Sequence, residues 1–241
     1  MDSATLSLDR REALDALAGE LRRIFGNRLR SVCAYGSYDR DQDIHSIVLV
    51  DELSFDNLAA CVPLARGWDT LGLAVPLILE QDEFHRTLDV FPLEYGDIIA
   101  HHIVIEGLDP FLGLTVPEAD RRRACEHQAK SHLIHLRESY LETRGDLPGV
   151  SRMIGASADG FRRLLDNLVT LVHAPAEHTA GHPDLAAEAE QYIGVPADLT
   201  REILASAAGG GPTTIADPTA LLARYISAVE RVWDFVDAWK K

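Results

Sequence analysis

Apolar residues recur at helical spacing from the start of the chain. Leu14, Leu17, Leu21, Ile24 and Phe25 share one side of a helix predicted over residues 7–25, and Gly26 is a natural C-terminal stop. The period then shortens. Leu29 to Tyr35 predicts a short strand that runs into Gly36-Ser37. Ile47 to Val50, continuously apolar and β-branched, predicts a second, buried strand. Ser54 is placed to cap a helix with Phe55, Leu58, Ala59, Val62 and Ala65 on its apolar side, closed by Gly67. Leu73 to Leu79 predicts a third strand, and Pro76 marks it as an edge or an irregular start. A short helix is expected over Gln81 to Leu88. Val90 to Tyr95 and His101 to Ile105 read as extended segments, the latter stopped by Gly107.

From Pro117 the apolar pattern is helical almost throughout. Pro117 suits a first helical turn, and a long helix is predicted to about Thr143, with Ala129, His132, Leu133, Leu136, Tyr140 and Leu141 on its apolar side. A second long helix follows from about Val150 to His173. A loop rich in Pro, His and Gly covers 174–183, and short helices are expected at about 184–193 and 197–207. Gly209-Gly210-Gly211-Pro212 is a breaker, and a last helix spans about 217–239. The pattern predicts an α+β protein: a mixed α/β sheet domain over 1–115, then an all-α helical bundle over 116–241.

Composition narrows the function classes. The net charge of −15 opposes contact with nucleic-acid backbones and anionic membranes, so nucleic acid is not an expected partner. No apolar run approaches a membrane span and Met1 to Arg11 has no signal-peptide core, so a soluble, cytoplasmic protein is expected. Three cysteines, Cys33, Cys61 and Cys125, lie far apart in apolar surroundings. They read as small buried residues, not as a disulfide framework or a zinc cage.

Candidate chemistry gathers at Gly36-Ser37. A glycine and a serine between a strand and a turn can present backbone N–H groups and a hydroxyl to a phosphate. Carboxylates at the mouth of the next strand can hold the divalent metal that bridges phosphate oxygens. An Asp-x-Asp pair there would place two carboxylates side by side, because alternate strand residues share a face. A third, on a neighbouring strand, would complete a two-metal cage for in-line transfer. Here the sequence reads Asp43-Ile44-His45.

Gly36-Ser37, Asp43-Ile44-His45 and the apolar strand to Val50 resemble the Gly-Ser and Asp-x-Asp signature of the nucleotidyltransferase superfamily. The order of sheet domain and helical bundle also resembles its small-molecule (kanamycin-modifying) and minimal members, the latter pairing with HEPN-type helical domains. The segments Asp89 to Ile98 and Arg137 to Leu141 are similar to those of uncharacterised bacterial members. The resemblance implies that Gly36 and Ser37 bind the nucleotide, and that Asp43 and Glu94 are catalytic and hold Mg²⁺, with Asp97 as a rival to Glu94 and His45 in the metal site. A nucleoside triphosphate and a small-molecule or protein acceptor are the implied partners, and a homo-oligomer is compatible with it.

The sequence departs from that pattern. His45 stands where the second aspartate belongs, and neutral imidazole suits magnesium poorly. Five residues separate Ser37 from Asp43, fewer than is usual in the family. Asp39 and Asp41 add negative charge where a triphosphate would sit. Two functions remain open: nucleotidyl transfer from a nucleoside triphosphate with a divergent metal site, or a catalytically inactive nucleotidyltransferase-like protein that regulates or binds a partner. Elsewhere, His101-His102 reads as a surface or partner contact. Arg122 and His127 match the loose Arg–His spacing of HEPN ribonucleases, a pattern that recurs by chance in such a helix.

Overall fold

A computed structural model describes residues 7–36, 43–172, 184–207 and 215–239. Ser37, the acidic stretch Asp39 to Asp41, the 174–183 loop and the Gly209 to Pro212 breaker lie outside the described residues. The chain divides into two units, Met1–Pro117 and Glu118–Lys241. The architecture is α+β, a small mixed sheet with mostly helical surroundings.

The first unit begins with α1 (Leu8–Phe25), which buries Leu14, Leu17, Leu21 and Phe25 and ends at Gly26 in a positive-φ conformation. β1 (Leu29–Tyr35) and β2 (His45–Val50) pair antiparallel. After them come α2 (Phe55–Cys61), a 3-10 turn at Val62–Leu64, and α3 (Ala65–Thr70). The chain returns as β3 (Leu77–Glu80), parallel to β2. Two short helices follow, α4 (Gln81–Arg86) and α5 (Pro92–Ala100), and β4 (His102–Gly107) pairs antiparallel with β1. The described strands form one sheet in the order β3-β2-β1-β4.

Alternation along the strands gives the sheet two buried faces. Val32, Ala34, Val48 and Val50 pack on α1, together with Cys61 and Trp68. The Trp68 indole N–H donates to Glu20 on α1 at 2.8 Å, which satisfies its one polar atom inside the core. Cys33, Ile47 and Leu49 face the other way, onto Phe84 of α4, Tyr95 and Ile98 of α5, and Phe111. Phe84 is the hub of that layer, with ring centroids 4.7 Å from Tyr95 and 5.3 Å from Phe111.

Three elements differ from the sequence expectation. Residues 90–95 are not a strand. Pro92 opens α5 at a first-turn position, and Pro92, Tyr95 and Ile98 form its buried stripe at helical spacing. Glu94 is therefore on a helix, not on a strand. The expected apolar side of α2 is its exposed side: Phe55 is 82% and Val62 72% exposed, while Asn57 and Cys61 turn inward. The reason is local. Ser54 and Asn57 close a capping box, which fixes the phase of the first turn with Asn57 inside. Helical structure also continues past Gly67 to Thr70. Finally, β3 starts at Leu77, after Pro76; Leu73 contributes only an isolated bridge to Ile44.

The second unit is all helical among its described residues. It comprises α6 (Glu118–Glu142), α7 (Leu147–Val172), α8 (Leu185–Ile193), α9 (Ala197–Ala207) and α10 (Pro218–Ala238). α7 is central and touches each of the other four. Its buried stripe of Val150, Ile154, Phe161, Leu164, Leu165 and Leu168 packs with Leu133 and Leu136 of α6 and with Tyr225 and Val229 of α10. At its margin the Lys130 ammonium lies 3.6 Å over the Trp233 ring, and Trp239 packs on Phe235 at 5.3 Å. No described helix is long and apolar enough to cross a membrane.

Candidate functional site

Of the predicted site residues, Gly36, Asp43 and His45 stand at one end of the sheet, Glu94 is on α5, and Ser37 lies outside the described residues. β1 delivers Tyr35 and then Gly36, which has φ of 84°. That conformation favours glycine; among the described residues a Cβ there would meet the His45 ring, at 3.9 Å. Asp43 lies just before the Ile44 bridge and is exposed, and His45 opens β2. The strand register places His45 opposite Tyr35, and Tyr35 opposite His102 of β4. Directly paired residues of antiparallel strands project from the same face. The Tyr35 and His45 rings are 5.7 Å apart, and burial pushes the Tyr35 phenol pKa up.

His102 is tied into the fold. Its Nδ1 lies 3.1 Å from the Ile98 and Ile99 carbonyls, and its Nε2 lies 3.2 Å from an Asp109 oxygen. Its ring meets Phe111 edge-on at 4.7 Å. This histidine anchors the end of α5 to the turn after β4.

Beside His45, on the other flank of β2, runs the approach to β3. Ile44 bridges Leu73 and Ile47 pairs with Leu77, so Val75 and Pro76 occupy the stretch alongside His45. Neither offers a ligand atom from its side chain. The first acid on β3 is Glu80, opposite Val50 at the far end of the strand, where it accepts a hydrogen bond from the Leu53 amide at 2.9 Å. Glu94 and Asp97 are exposed on α5, away from its buried Tyr95 and Ile98. Among the described residues no three His, Cys, Asp or Glu side chains form a group that could hold a metal ion, so Asp43, His45 and Glu94 are not gathered into one. The described donors at the start of β2, one carboxylate and one imidazole, supply fewer oxygens than magnesium takes.

The remaining candidates are engaged in structure. Cys33, Cys61 and Cys125 are buried free thiols, and burial pushes Cys33 up to about 11 and Cys125 up to about 12. The Arg122 guanidinium donates to Glu126 at 3.0 Å and to the Val236 carbonyl at 3.1 Å, fastening α6 to α10.

A second site escaped the sequence reading. Between α6 and α7 lies an open groove of about 570 Å³. His132, Ser139 and Glu142 line it from α6; Arg152, Ala156 and Gly160 line it from α7. His132 Nε2 is 2.7 Å from the Tyr225 hydroxyl, and burial pushes its pKa down to about 4, with the nearby His135 as a smaller cause. It is therefore neutral at neutral pH. The small residues of α7 hold the groove open, since a Cβ on Gly160 would already touch the His132 ring at 3.4 Å. Gly149, Ala156 and Gly160 recur at one-face spacing in the sequence, the one signal of the groove that the sequence carries.

A comparison with protein-family models found no match for this chain, and a comparison with curated proteins found none either.

Proposed function

We propose that the chain is a nucleotidyltransferase-like protein that has lost metal-dependent transfer and acts as a regulatory or partner-binding module. The lineage rests on the Gly36 turn, Asp43 at the entrance of β2, and a mixed sheet in which an antiparallel pair is extended by a parallel third strand. The loss rests on one observation above the others. Val75 and Pro76 run beside His45, at the place where a neighbouring strand would have to supply a carboxylate. With His45 in the second position as well, Asp43 is the one carboxylate that the described residues carry into the start of β2, and the Asp109 carboxylate is engaged by His102 on β4. One carboxylate cannot replace the hydration shell of a bridging magnesium ion.

The test is direct. The purified chain is incubated with each of the four ribonucleoside triphosphates and Mg²⁺ or Mn²⁺, and pyrophosphate release and labelled nucleotide on acceptors are followed. Neither product is expected, and Asp43→Ala and Glu94→Ala should leave that baseline unchanged. Metal-dependent pyrophosphate release that disappears in Asp43→Ala would restore the reading as a nucleotidyltransferase acting on a small-molecule or protein acceptor.

A further inference from the structure

The groove between α6 and α7 carries charges of both signs that do not neutralise each other. Glu142 makes no hydrogen bond or ion pair among the described residues, and neither does the Ser139 hydroxyl. Arg152, on the facing helix, is held only loosely, 3.7 Å from Asp146, and is 75% exposed. Glu142 and Arg152 line the same cavity without pairing. Ten residues deeper along α6, about 15 Å of helix, His132 closes the groove. Its Nε2 belongs to Tyr225, and its Nδ1 has no partner among the described residues. Either the phenol donates and Nδ1 carries the proton, or Nε2 donates and Nδ1 accepts. Leu136, Met153 and Ala156 supply apolar wall between the two ends.

We propose that this groove is a binding site for a zwitterionic dipeptide, which is long enough when extended to reach both ends of the groove. Its ammonium faces Glu142, its carboxylate faces Arg152, and a polar side chain reaches His132. The cavity is of the size that holds small ligands. Most of its lining residues are polar, with His135, Thr143 and Ser157 beside the groups already named, which suits a charged and hydrogen-bonding ligand better than an apolar one. A single anion would leave Glu142 unanswered, and a single cation would meet Arg152. A carboxamide side chain suits His132 in particular, since it both donates and accepts and so answers either tautomer of Nδ1.

Glycyl-L-glutamine is the probe, titrated into the full chain carrying ¹³C-labelled histidine at pH 7. The His132 Cε1–H signal, identified by its loss in His132→Gln, should move saturably. N-acetylglycyl-L-glutamine keeps only the negative charge and glycyl-L-glutamine amide only the positive one; each should bind about tenfold more weakly, the loss of one ionic contact. Ala156→Trp, at an exposed position, should block the groove and abolish the shift while circular dichroism stays unchanged. A His132 signal that does not respond to the dipeptide, an equal response to all three molecules, or an undiminished response in Ala156→Trp would each overturn the proposal.

Discussion

Gly107 ends β4 with φ of 85°, and a Cβ at that position would overlap the Arg30 carbonyl oxygen. Both the conformation and the close approach require glycine, at a place where β4 pairs with Ser31 of β1. Gly107→Ala should cost about 2–3 kcal/mol in urea unfolding, the size of a backbone strain that the fold cannot relieve. His132 makes a different residue-scale prediction. Burial lowers its pKa from 6.5 to about 4, so below pH 6.5 the unfolded chain takes up a proton that the folded chain refuses. Stability is therefore full above pH 6.5, falls as pH drops toward 4, and levels off below that. The integrated loss is of order 3 kcal/mol. Unfolding curves of wild type and His132→Gln between pH 4 and 7 check it: the variant should lose that part of the slope. The sequence marks His132 as part of an apolar helix side, but its partner Tyr225 lies 93 positions away, and no local pattern reveals the pairing.

At the scale of elements, the sequence is legible where one periodicity dominates. α1, β1 and β2 follow their apolar patterns because each buries a complete face. The segment at 90–95 misleads because Val90, Phe91 and Leu93 mimic a strand, while Pro92, Tyr95 and Ile98 form a helical stripe that only the Phe84 layer makes decisive. The second helix misleads for the opposite reason. Its obvious apolar stripe is outside, and its phase is set by the hydrogen bonds of Ser54 and Asn57. Ser54→Ala should then lower stability by about 1 kcal/mol, whereas Phe55→Ser and Val62→Ser should each change it by no more than about 0.5 kcal/mol. Urea midpoints of the three variants, compared with wild type, test the assignment. The candidate site divides along the same line. Gly36, Asp43 and His45 stand together because adjacent strands carry them, but the place of Glu94 depends on a helix that its own sequence disguises.

For the whole molecule, the two units each hold a core and a separate chemical endowment. The sheet unit keeps a glycine turn and one carboxylate at the mouth of β2. The helical unit keeps a groove with an uncharged imidazole at its base. In the sequence the groove shows only as the small-residue spacing of α7, because its walls depend on the relative phase of two helices, to which neither pattern alone commits. The tie between Trp68 and Glu20 has an optical consequence. The other two tryptophans, Trp233 and Trp239, belong to the helical unit, so Trp68 is the sheet unit's sole indole emitter. Replacing those two with phenylalanine leaves one fluorophore, sealed in the sheet's core, whose emission moves to the red only when water reaches that core. The colour of the light then follows the sheet unit alone, while circular dichroism sums the helices of both units.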